Sequence, residues 1–185
     1  GKTSIERNLT LDEMAARVLH HYCNELAQYR NFRGGAFWPG VFSVGFHIAF
    51  GSFTAATPDG RSSGAVLGNG LTPTTGNALS GPTAVLNSVT KLPLIRICNG
   101  GNLNMRFSAG KIDDKKILAM MKSYFDRGGM QVQYNVIDSE VLQAAKEEPD
   151  NYRDLVVRIS GYSTLFTCLT EPAQDEIISR TTYGL

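Results

Sequence analysis

The feature that most constrains the fold of this chain is the alternation of helical and extended patterns after residue 111. Asp113 can cap a helix that Gly128-Gly129 ends, because aspartate favours helix starts and glycine favours helix ends. Residues 130–136 then alternate apolar and polar side chains, which predicts a strand with one buried face. The apolar residues of the preceding helix recur at helical spacing: Ile117, Met120, Met121 and Tyr124.

The alternation continues to the end of the chain. Asp138 starts a further helix, which must stop by Pro149 because proline cannot continue a helix. Residues 155–159 form a short apolar strand that leads directly into Ser160-Gly161, and residues 170–180 form a last helix with a proline near its start. Helices that alternate with strands in this way predict the α/β class.

The first part of the chain begins with a predicted amphipathic helix over residues 10–29. Thr10 and Glu13 have the spacing of a capping box, in which each side chain bonds a free backbone group at the helix start. The predicted apolar face of this helix comprises Met14, Val18, Leu19, Tyr22 and Leu26.

The segments between this helix and residue 111 are less regular. After breaks at Gly34-Gly35 and Pro39-Gly40, residues 41–50 have the apolar composition of a strand. Residues 51–82 are rich in glycine and lack a helical period, which is typical of a long functional loop or of disorder. Residues 83–97 hold two apolar runs that are compatible with either strand or helix.

The composition excludes several classes of function. The chain of 185 residues fits one domain or a large piece of one, and its net charge of +1 favours neither nucleic acid nor an anionic membrane as a partner. No apolar run approaches the roughly 20 residues that span a bilayer. Cys23, Cys98 and Cys168 are too widely spaced for a disulfide framework, which predicts a reducing, cytoplasmic setting and buried structural cysteines.

Histidines offer no metal site. His20-His21 lack a third ligand at metal spacing, so no metal is expected. His47 falls in the apolar segment 41–50, where we interpret it as a hydrogen-bonded structural residue rather than an acid or base.

One stretch close to the end of the chain is far more specific than the rest. It runs Arg158-Ile159-Ser160-Gly161-Tyr162 and continues with Phe166, Leu169, Gln174, Ile177 and Arg180 in one register. This string resembles the C-terminal signature of the glycyl radical enzymes, in which one backbone glycine stores an unpaired electron. The resemblance implies that Gly161 is the radical residue. Its supporting residues would be Arg158, Ser160, Tyr162, Phe166, Gln174 and Arg180.

Glycine has the chemistry for this task. Its Cα lies between an amide nitrogen, which donates electron density, and a carbonyl, which withdraws it, so a radical there is planar and delocalised. Glycine also lacks the Cβ that would clash with the flanking peptides in the planar state. Such a radical must be shielded from oxygen and water, and the apolar residues on both sides of Gly161 are expected to bury it. Taken alone, a glycine after a strand is simply a turn residue with positive φ.

The resemblance extends upstream to about Leu9 in family order. It includes Tyr29-Arg30-Asn31, Gly34-Gly35, Pro39-Gly40, Phe42-Ser43-Val44, His47, Ala56-Thr57-Pro58-Asp59-Gly60-Arg61, residues 81–89, Asn99-Gly100-Gly101-Asn102-Leu103-Asn104 and Gln131-Val132-Gln133-Tyr134-Asn135. These strings, with Ser163-Thr164-Leu165-Phe166, resemble the dehydratase, lyase and decarboxylase branches more than pyruvate formate-lyase. The implied fold is the C-terminal portion of the family's ten-stranded α/β barrel. Residues 1–110 would supply late barrel strands and connecting loops, and residues 111–185 the radical region, with its loop around 158–166.

The resemblance also implies partners. A complete enzyme of this family passes the radical to a cysteine on a separate loop, and none of the three cysteines here has that sequence context. We therefore expect a larger chain that carries the cysteine loop. We also expect an activating enzyme that uses S-adenosylmethionine and an iron–sulfur cluster, and no permanently bound cofactor. The alternative role is a spare part that rescues an oxygen-damaged enzyme.

The expected substrate is a small organic molecule. By analogy with the family, Phe42 and Val44 on the segment 41–47 would line the substrate pocket. The competing interpretation is that both are ordinary core residues.

Overall fold

The structure is a computed structural model that describes residues 4–111 and 113–184. Its helices are α1 (Ser4–Ala27), α2 (Phe46–Ser52), α3 (Pro82–Val89), α4 (Asp114–Asp126), α5 (Ser139–Glu147) and α6 (Glu171–Ser179). Its strands are β1 (Asn104–Phe107), β2 (Gln133–Val136), β3 (Val156–Arg158), β4 (Ser163–Leu165) and β5 (Thr182–Tyr183). Short 3₁₀ turns cover Leu94–Arg96, Ala109–Lys111, Pro149–Tyr152 and Phe166–Cys168.

A parallel sheet organises the larger of two apolar cores. β1 lies between β2 and β5, and Arg106 at its middle pairs with Asn135 on one side and Thr182 on the other. Leu103 and Phe107 are completely buried here. Parallel strands separated by helices confirm the α/β class that the alternating patterns predict. Helices α1, α3 and α4 cover this core through Leu19, Cys23, Val85, Leu86, Val89, Met120 and Tyr124.

The second core lies beneath an antiparallel hairpin. β3 pairs with β4 in the register Arg158 to Ser163, which leaves Ser160-Gly161 as the turn. The hairpin packs on α5 and α6 through six buried residues: Leu142, Ala145, Val157, Ile159, Phe166 and Ile177. The position of the Gly161 turn therefore depends on α5 and α6, two helices that the sequence predicts.

The helix signals after residue 111 are confirmed. The Asp113 carboxylate accepts hydrogen bonds from the backbone N–H groups of Lys115, at 2.9 Å, and Lys116, at 3.2 Å. Asp138 precedes α5 as expected, but its carboxylate does not cap that helix. It accepts instead from the Ser108 hydroxyl and from the backbone N–H of Ala109, which ties the start of α5 to the end of β1.

The strand prediction for residues 41–50 is wrong. Val41 makes only an isolated bridge with Gly101, and the chain then turns into helix α2. The reason is local backbone geometry: Val44 has φ of +48° and Gly45 has φ of +85°, and consecutive left-handed residues cannot extend a strand. Residues 83–97, which the sequence left open, form helix α3 and a 3₁₀ turn.

The first helix is longer than predicted and buries a different face. It begins at Ser4, and the Thr10 side chain of the predicted capping box lies outside the described part of the structure. Met14, Val18 and Tyr22 are exposed, whereas Leu19 and Cys23 are buried. The polar neighbours of α3 explain the offset. The Asp12 carboxylate accepts from Lys91 Nζ at 2.6 Å and Ser88 Oγ at 3.1 Å, which turns that side of α1 inward.

Across the part of the chain that the structure describes, no helix combines the length and the apolar character needed to cross a membrane.

Candidate functional site at the Gly161 turn

Gly161 is the second residue of the two-residue turn between β3 and β4. The turn is closed by a hydrogen bond from Ile159 N–H to Tyr162 O at 3.0 Å. Gly161 has φ of +85°, a left-handed conformation that strains any residue with a Cβ. Within the described residues, and apart from the glycine and its two chain neighbours, no atom lies within 4 Å of where a Cβ would stand, so conformation rather than crowding favours glycine here. The turn interpretation and the radical interpretation of this residue are thus compatible.

The expected burial of Gly161 is wrong for this chain. Gly161 and Tyr162 are exposed. The apolar residues on both sides pack elsewhere, because Val157 and Phe166 point into the second core beneath the hairpin. Val156, on the opposite face of β3, is 59% exposed. The second core therefore supports the hairpin on one side, and Gly161 at its tip stays exposed to solvent.

Arg158 surrounds one side of the turn with three separate hydrogen bonds. Its Nε donates to Gln133 Oε1 at 2.8 Å, and one terminal nitrogen donates to Ser163 Oγ at 3.2 Å. The other terminal nitrogen donates to the carbonyl oxygen of Gly161 at 3.1 Å. The guanidinium thus bridges the parallel sheet, strand β4 and the glycine itself.

Ser160 anchors the turn to distant loops. Its buried hydroxyl donates to Asn69 Oδ1 at 2.8 Å and lies 3.1 Å from Ser43 Oγ. The Asn69 amide nitrogen in turn donates to Ile159 O at 3.2 Å, and Ser43 Oγ lies 2.9 Å from His47 Nδ1. Three segments that are remote in sequence therefore meet behind the glycine. His47 is hydrogen-bonded and buried, as its structural interpretation expects, although it lies on α2 rather than on a strand.

A buried ion pair completes this network. Arg180 donates to both oxygens of Glu176, from Nε at 3.0 Å and from a terminal nitrogen at 2.7 Å. Both side chains are buried, at 9% and 8% exposure. The same guanidinium donates to the carbonyls of Arg158, at 2.9 Å, and Ile159, at 2.8 Å. It therefore fixes the backbone that enters the Gly161 turn.

The electrostatics of Glu176 reflect these contacts. Burial acts to raise the pKa of this carboxyl, but the contacts with His47 and Arg180 together outweigh burial and lower the pKa below its ordinary 4.5. His47 Nε2 lies 3.6 Å from Glu176 Oε1, longer than a hydrogen bond but short enough for an ion pair when the histidine is protonated. The carboxylate is thus ionised at neutral pH and ties α2 to α6.

The other predicted support residues act at a distance from the turn. Phe166 is completely buried in the second core, and the Gln174 amide nitrogen donates to its carbonyl at 3.0 Å. Tyr162 is exposed beside the glycine. The structure thus brings Arg158, Ser160 and Arg180 against the turn, while Phe166 and Gln174 hold the base of the hairpin.

An open cavity of about 750 Å³ lies on the exposed side of Gly161. Phe42 and Val44 both line it, at 45% and 49% exposure, and neither packs in a core of this chain. Ile95, Met130 and Tyr162 are among the other lining residues. Val44, at the edge of this cavity, has a strained positive φ. Strained backbone of this kind often occurs at functional sites.

Two of the three cysteine predictions are wrong. Cys23 is buried in the first core, but Cys98 and Cys168 are exposed. Cys98 lines the cavity beside Gly161, with its Sγ 3.7 Å from the carbonyl oxygens of Ile95 and Arg96. The apolar neighbours of Cys98 and Cys168 in sequence suggested that both cysteines are buried. Both lie in or next to short 3₁₀ turns, where an apolar run does not bury every residue.

Sequence reasoning missed several residues of the network: Ser43, Asn69, Gln133 and Glu176. Only Glu176 carried a local signal, because it stands four residues before Arg180 on a predicted helix, the spacing of a helical ion pair. Asn69 lies within the glycine-rich stretch 51–82, for which the sequence predicts a functional loop or disorder without indicating which residue matters.

The comparisons with known proteins identify the family. A family model described as "Glycine radical" matches residues 67–167, more than half of the chain. The probable dehydratase YbiW of Escherichia coli K12 is 41% identical over 95% of this chain and 23% of its own. The indoleacetate decarboxylase of Tractidigestivibacter scatoligenes is 35% identical over 94% of this chain and 20% of its own. This chain belongs to the glycyl radical enzyme family.

Structural similarity agrees with this assignment. The glycerol-bound B12-independent glycerol dehydratase from Clostridium butyricum superimposes with a TM-score of 0.90 and 43% identity, covering 94% of this chain and 23% of that one. The formate acetyltransferase of Haemophilus influenzae is only 29% identical over 92% of this chain. The predicted likeness to the dehydratase and decarboxylase branches is therefore confirmed. The chain spans less than a quarter of the length of these relatives.

Proposed function

We propose that Gly161 stores the unpaired electron of an anaerobic radical lyase, of the dehydratase or decarboxylase type. The observation that carries this proposal is the Gly161 turn itself. Its inner side is fixed by buried hydrogen bonds through Ser160 and Arg180, and its outer side opens onto a cavity. A radical store needs a fixed position and access to a reaction partner, and this arrangement supplies both.

The proposed radical transfer requires a cysteine outside this chain. The Cα of Gly161 would take a hydrogen atom from that cysteine, so an S–H bond breaks, a C–H bond forms, and the sulfur becomes the thiyl radical that attacks substrate. Cys98 is the one cysteine of this chain among the lining residues of the cavity, and it lacks the sequence context of the family's catalytic loop.

The surface supports a larger partner chain or a preceding region that carries the cysteine loop. Large apolar side chains are unusually exposed in this part of the chain. Phe42 and Ile95 line the cavity, and Phe46 and Phe50 lie on α2. Phe32, Trp38 and Phe53 are exposed on the segments before and after α2. Phe46 and Phe50 stack on each other at 5.6 Å while both remain exposed. Extended apolar surface of this kind marks an interface. Its covering would also shield Gly161 from oxygen and water.

The fold proposal follows from the same relatives. We assign residues 1–110, whose described part forms helices, loops and the single strand β1, to the late strand-and-loop portion of a ten-stranded α/β barrel, and residues 111–185 to the radical region. The parallel order β2-β1-β5 fits a barrel segment, and the hairpin turn at 160–161 fits the radical loop around 158–166.

The radical is installed, in this proposal, by a separate activating enzyme that uses S-adenosylmethionine and an iron–sulfur cluster, which are cofactors suited to radical chemistry. This chain would then carry no permanent cofactor. The exposure of Gly161 supports access by a second protein. We place the reaction in a reducing, anaerobic cytoplasm, because a carbon radical and two exposed thiols both require protection from oxidants.

The proposed substrate is a small organic molecule held in the cavity beside Gly161. Phe42 and Val44 would shape its apolar wall. The names of the relatives describe small organic substrates such as indoleacetate, and the glycerol dehydratase structure has glycerol bound.

The deciding experiment is electron paramagnetic resonance of the activated protein. We expect a doublet, because the one hydrogen left on the Gly161 Cα splits the signal, and we expect Gly161→Ala to lose it. Alanine at φ of +85° costs about 1–2 kcal/mol, so the variant should remain folded. Gly128→Ala, which changes another glycine with φ near that of Gly161 and with free space, is the matched control. A doublet that persists in Gly161→Ala contradicts the proposal.

A second experiment distinguishes two roles of this chain: a subunit or C-terminal part of the enzyme, and a spare part that rescues a damaged enzyme. The activated chain alone should turn over nothing, because the thiyl cysteine is missing. Addition of a truncated partner with the cysteine loop should restore activity if the chain is a subunit or C-terminal part. Restoration only by a complete, oxygen-cleaved enzyme would indicate the rescue role. Turnover by the isolated chain, abolished by Cys98→Ala or Cys168→Ala, would contradict the missing cysteine.

A further inference from the structure

The carbonyl oxygen of Gly161 accepts a hydrogen bond from a cation. A terminal nitrogen of Arg158 lies 3.1 Å from that oxygen. The other two nitrogens of the same guanidinium also have acceptors: Nε donates to Gln133 Oε1 at 2.8 Å, and the second terminal nitrogen donates to Ser163 Oγ at 3.2 Å. The contact with Gly161 is therefore one corner of a three-point arrangement, and its direction is fixed by the other two.

The chemistry of a glycyl radical gives this contact a specific role. The unpaired electron on Cα is delocalised toward the carbonyl, which places spin and partial negative charge on the oxygen. A charge-assisted hydrogen bond to that oxygen favours the delocalised form and is stronger than a neutral one. Because the donor is already oriented, no reorganisation is needed when the radical forms. We propose that Arg158 stabilises the unpaired electron of Gly161 through its carbonyl oxygen.

The structure holds Arg158 in place from the backbone as well. Asn135 on β2 accepts from the Arg158 backbone N–H at 3.2 Å, and Arg180 donates to the Arg158 carbonyl at 2.9 Å. Gln133, the acceptor for Nε, is itself bonded to the Asn104 side chain on β1. The parallel sheet therefore sets the orientation of the guanidinium, and lysine could not reproduce it, since an ammonium cannot bridge three acceptors in a plane.

This inference rests on the proposed function of Gly161 and extends it. It assigns Arg158 an electronic effect on the radical in addition to support of the loop. Arg158 should therefore determine how stable the radical is, and how readily Gly161 gives up and recovers its hydrogen.

The test is a magnetic measurement on activated protein made with isotope-labelled guanidinium nitrogens. Electron–nuclear double resonance should detect a labelled nitrogen and an exchangeable proton coupled to the Gly161 radical. Arg158→Gln should lose the nitrogen coupling and shorten the anaerobic half-life of the radical about tenfold, the effect of one hydrogen bond to a charged group. Arg153→Gln, which changes an exposed arginine paired with Asp150, should alter neither.

The wild-type spectrum keeps the proposal testable if a variant fails to fold or activate. A Gly161 doublet without coupling to a guanidinium nitrogen overturns the role of Arg158 and leaves the proposed function intact. Gln133→Leu, which removes only the Nε acceptor, should weaken the coupling without abolishing the radical; an unchanged coupling would contradict the three-point arrangement. Absence of a Gly161-dependent doublet in the wild type would instead contradict the proposed function itself.

Discussion

The two sides of the Gly161 turn differ in chemistry. Behind the turn, Ser160, Asn69 and the Glu176–Arg180 pair form a buried hydrogen-bonded network. In front of it, Phe42 and other apolar side chains border an open cavity. The network determines where the glycine lies, and the cavity determines what can approach it. The position of the glycine and access to it thus depend on different residues, which can be changed separately.

The largest expected effect concerns oxygen at the front of the turn. A glycyl radical reacts with dioxygen at Cα, and the peroxyl product breaks the backbone there. Air exposure of the activated protein should therefore cut the chain at Gly161 and release the 24 residues that follow it in this chain of 185. Mass spectrometry locates the cut.

Unactivated protein is the control for this prediction and should survive the same exposure. Ordinary proteolysis would cut an exposed loop instead, such as the glycine-rich stretch 59–81, and would not depend on activation. An intact chain after air exposure, despite a radical signal beforehand, would mean that the spin resides on another residue.

The next effect concerns the back of the turn. Arg180→Ala leaves Glu176 buried without its cation and frees two backbone carbonyls, so we expect a loss of about 3–5 kcal/mol in the free energy of unfolding. Arg153→Ala breaks an exposed ion pair with Asp150 and should cost less than about 1 kcal/mol. Denaturant titration measures both, and equal losses would contradict the importance of the buried network.

Acid should weaken the same network. The pKa of Glu176 is lower in the folded protein than its ordinary 4.5, because the contacts with His47 and Arg180 outweigh the effect of burial. Its ionised form therefore stabilises the fold above pH 4.5, and this contribution is lost as the pH falls through the lowered value. The stability difference between wild type and Glu176→Gln should shrink as the pH is lowered below 4.5. A difference that stays constant would show that the pKa of Glu176 is the same in the folded and unfolded protein, so that its contacts do not lower it.

The helices after residue 111 and the strand that leads into Gly161 could be predicted because their signals are local. Asp113 caps α4 directly, and the string around Gly161 occupies one continuous stretch. The strand β1 was missed because four residues are too few for a reliable period. The segment 41–50 was misinterpreted because its composition suits a strand, while the left-handed backbone at Val44 and Gly45 prevents one.

The network behind the glycine could not be predicted for a different reason. Ser43 and Asn69 stand 117 and 91 residues from Ser160 in sequence. Serine and asparagine are common in loops, so neither residue type signals a partner at that distance. The exposure of Gly161 was also missed, because apolar residues on both sides of a hairpin turn can pack beneath the hairpin rather than over its tip.

A change at Phe42, in front of the turn, is expected to have the smallest effect on stability. Its effect on function should be selective. Phe42 is 45% exposed, so Phe42→Ala should change the free energy of unfolding by no more than about 1 kcal/mol. In the assembled, activated enzyme, Phe42→Ala should shift the ratio of kcat/KM for a larger substrate to kcat/KM for a smaller one by about tenfold or more. The reason is that removal of this side chain from the apolar wall enlarges the cavity. Phe125→Ala, which truncates a phenylalanine of similar exposure on α4, outside the cavity lining, should leave that ratio unchanged. If both variants shift the ratio equally, the cavity beside Gly161 does not select the substrate, and the separation between the two sides of the turn fails at its front.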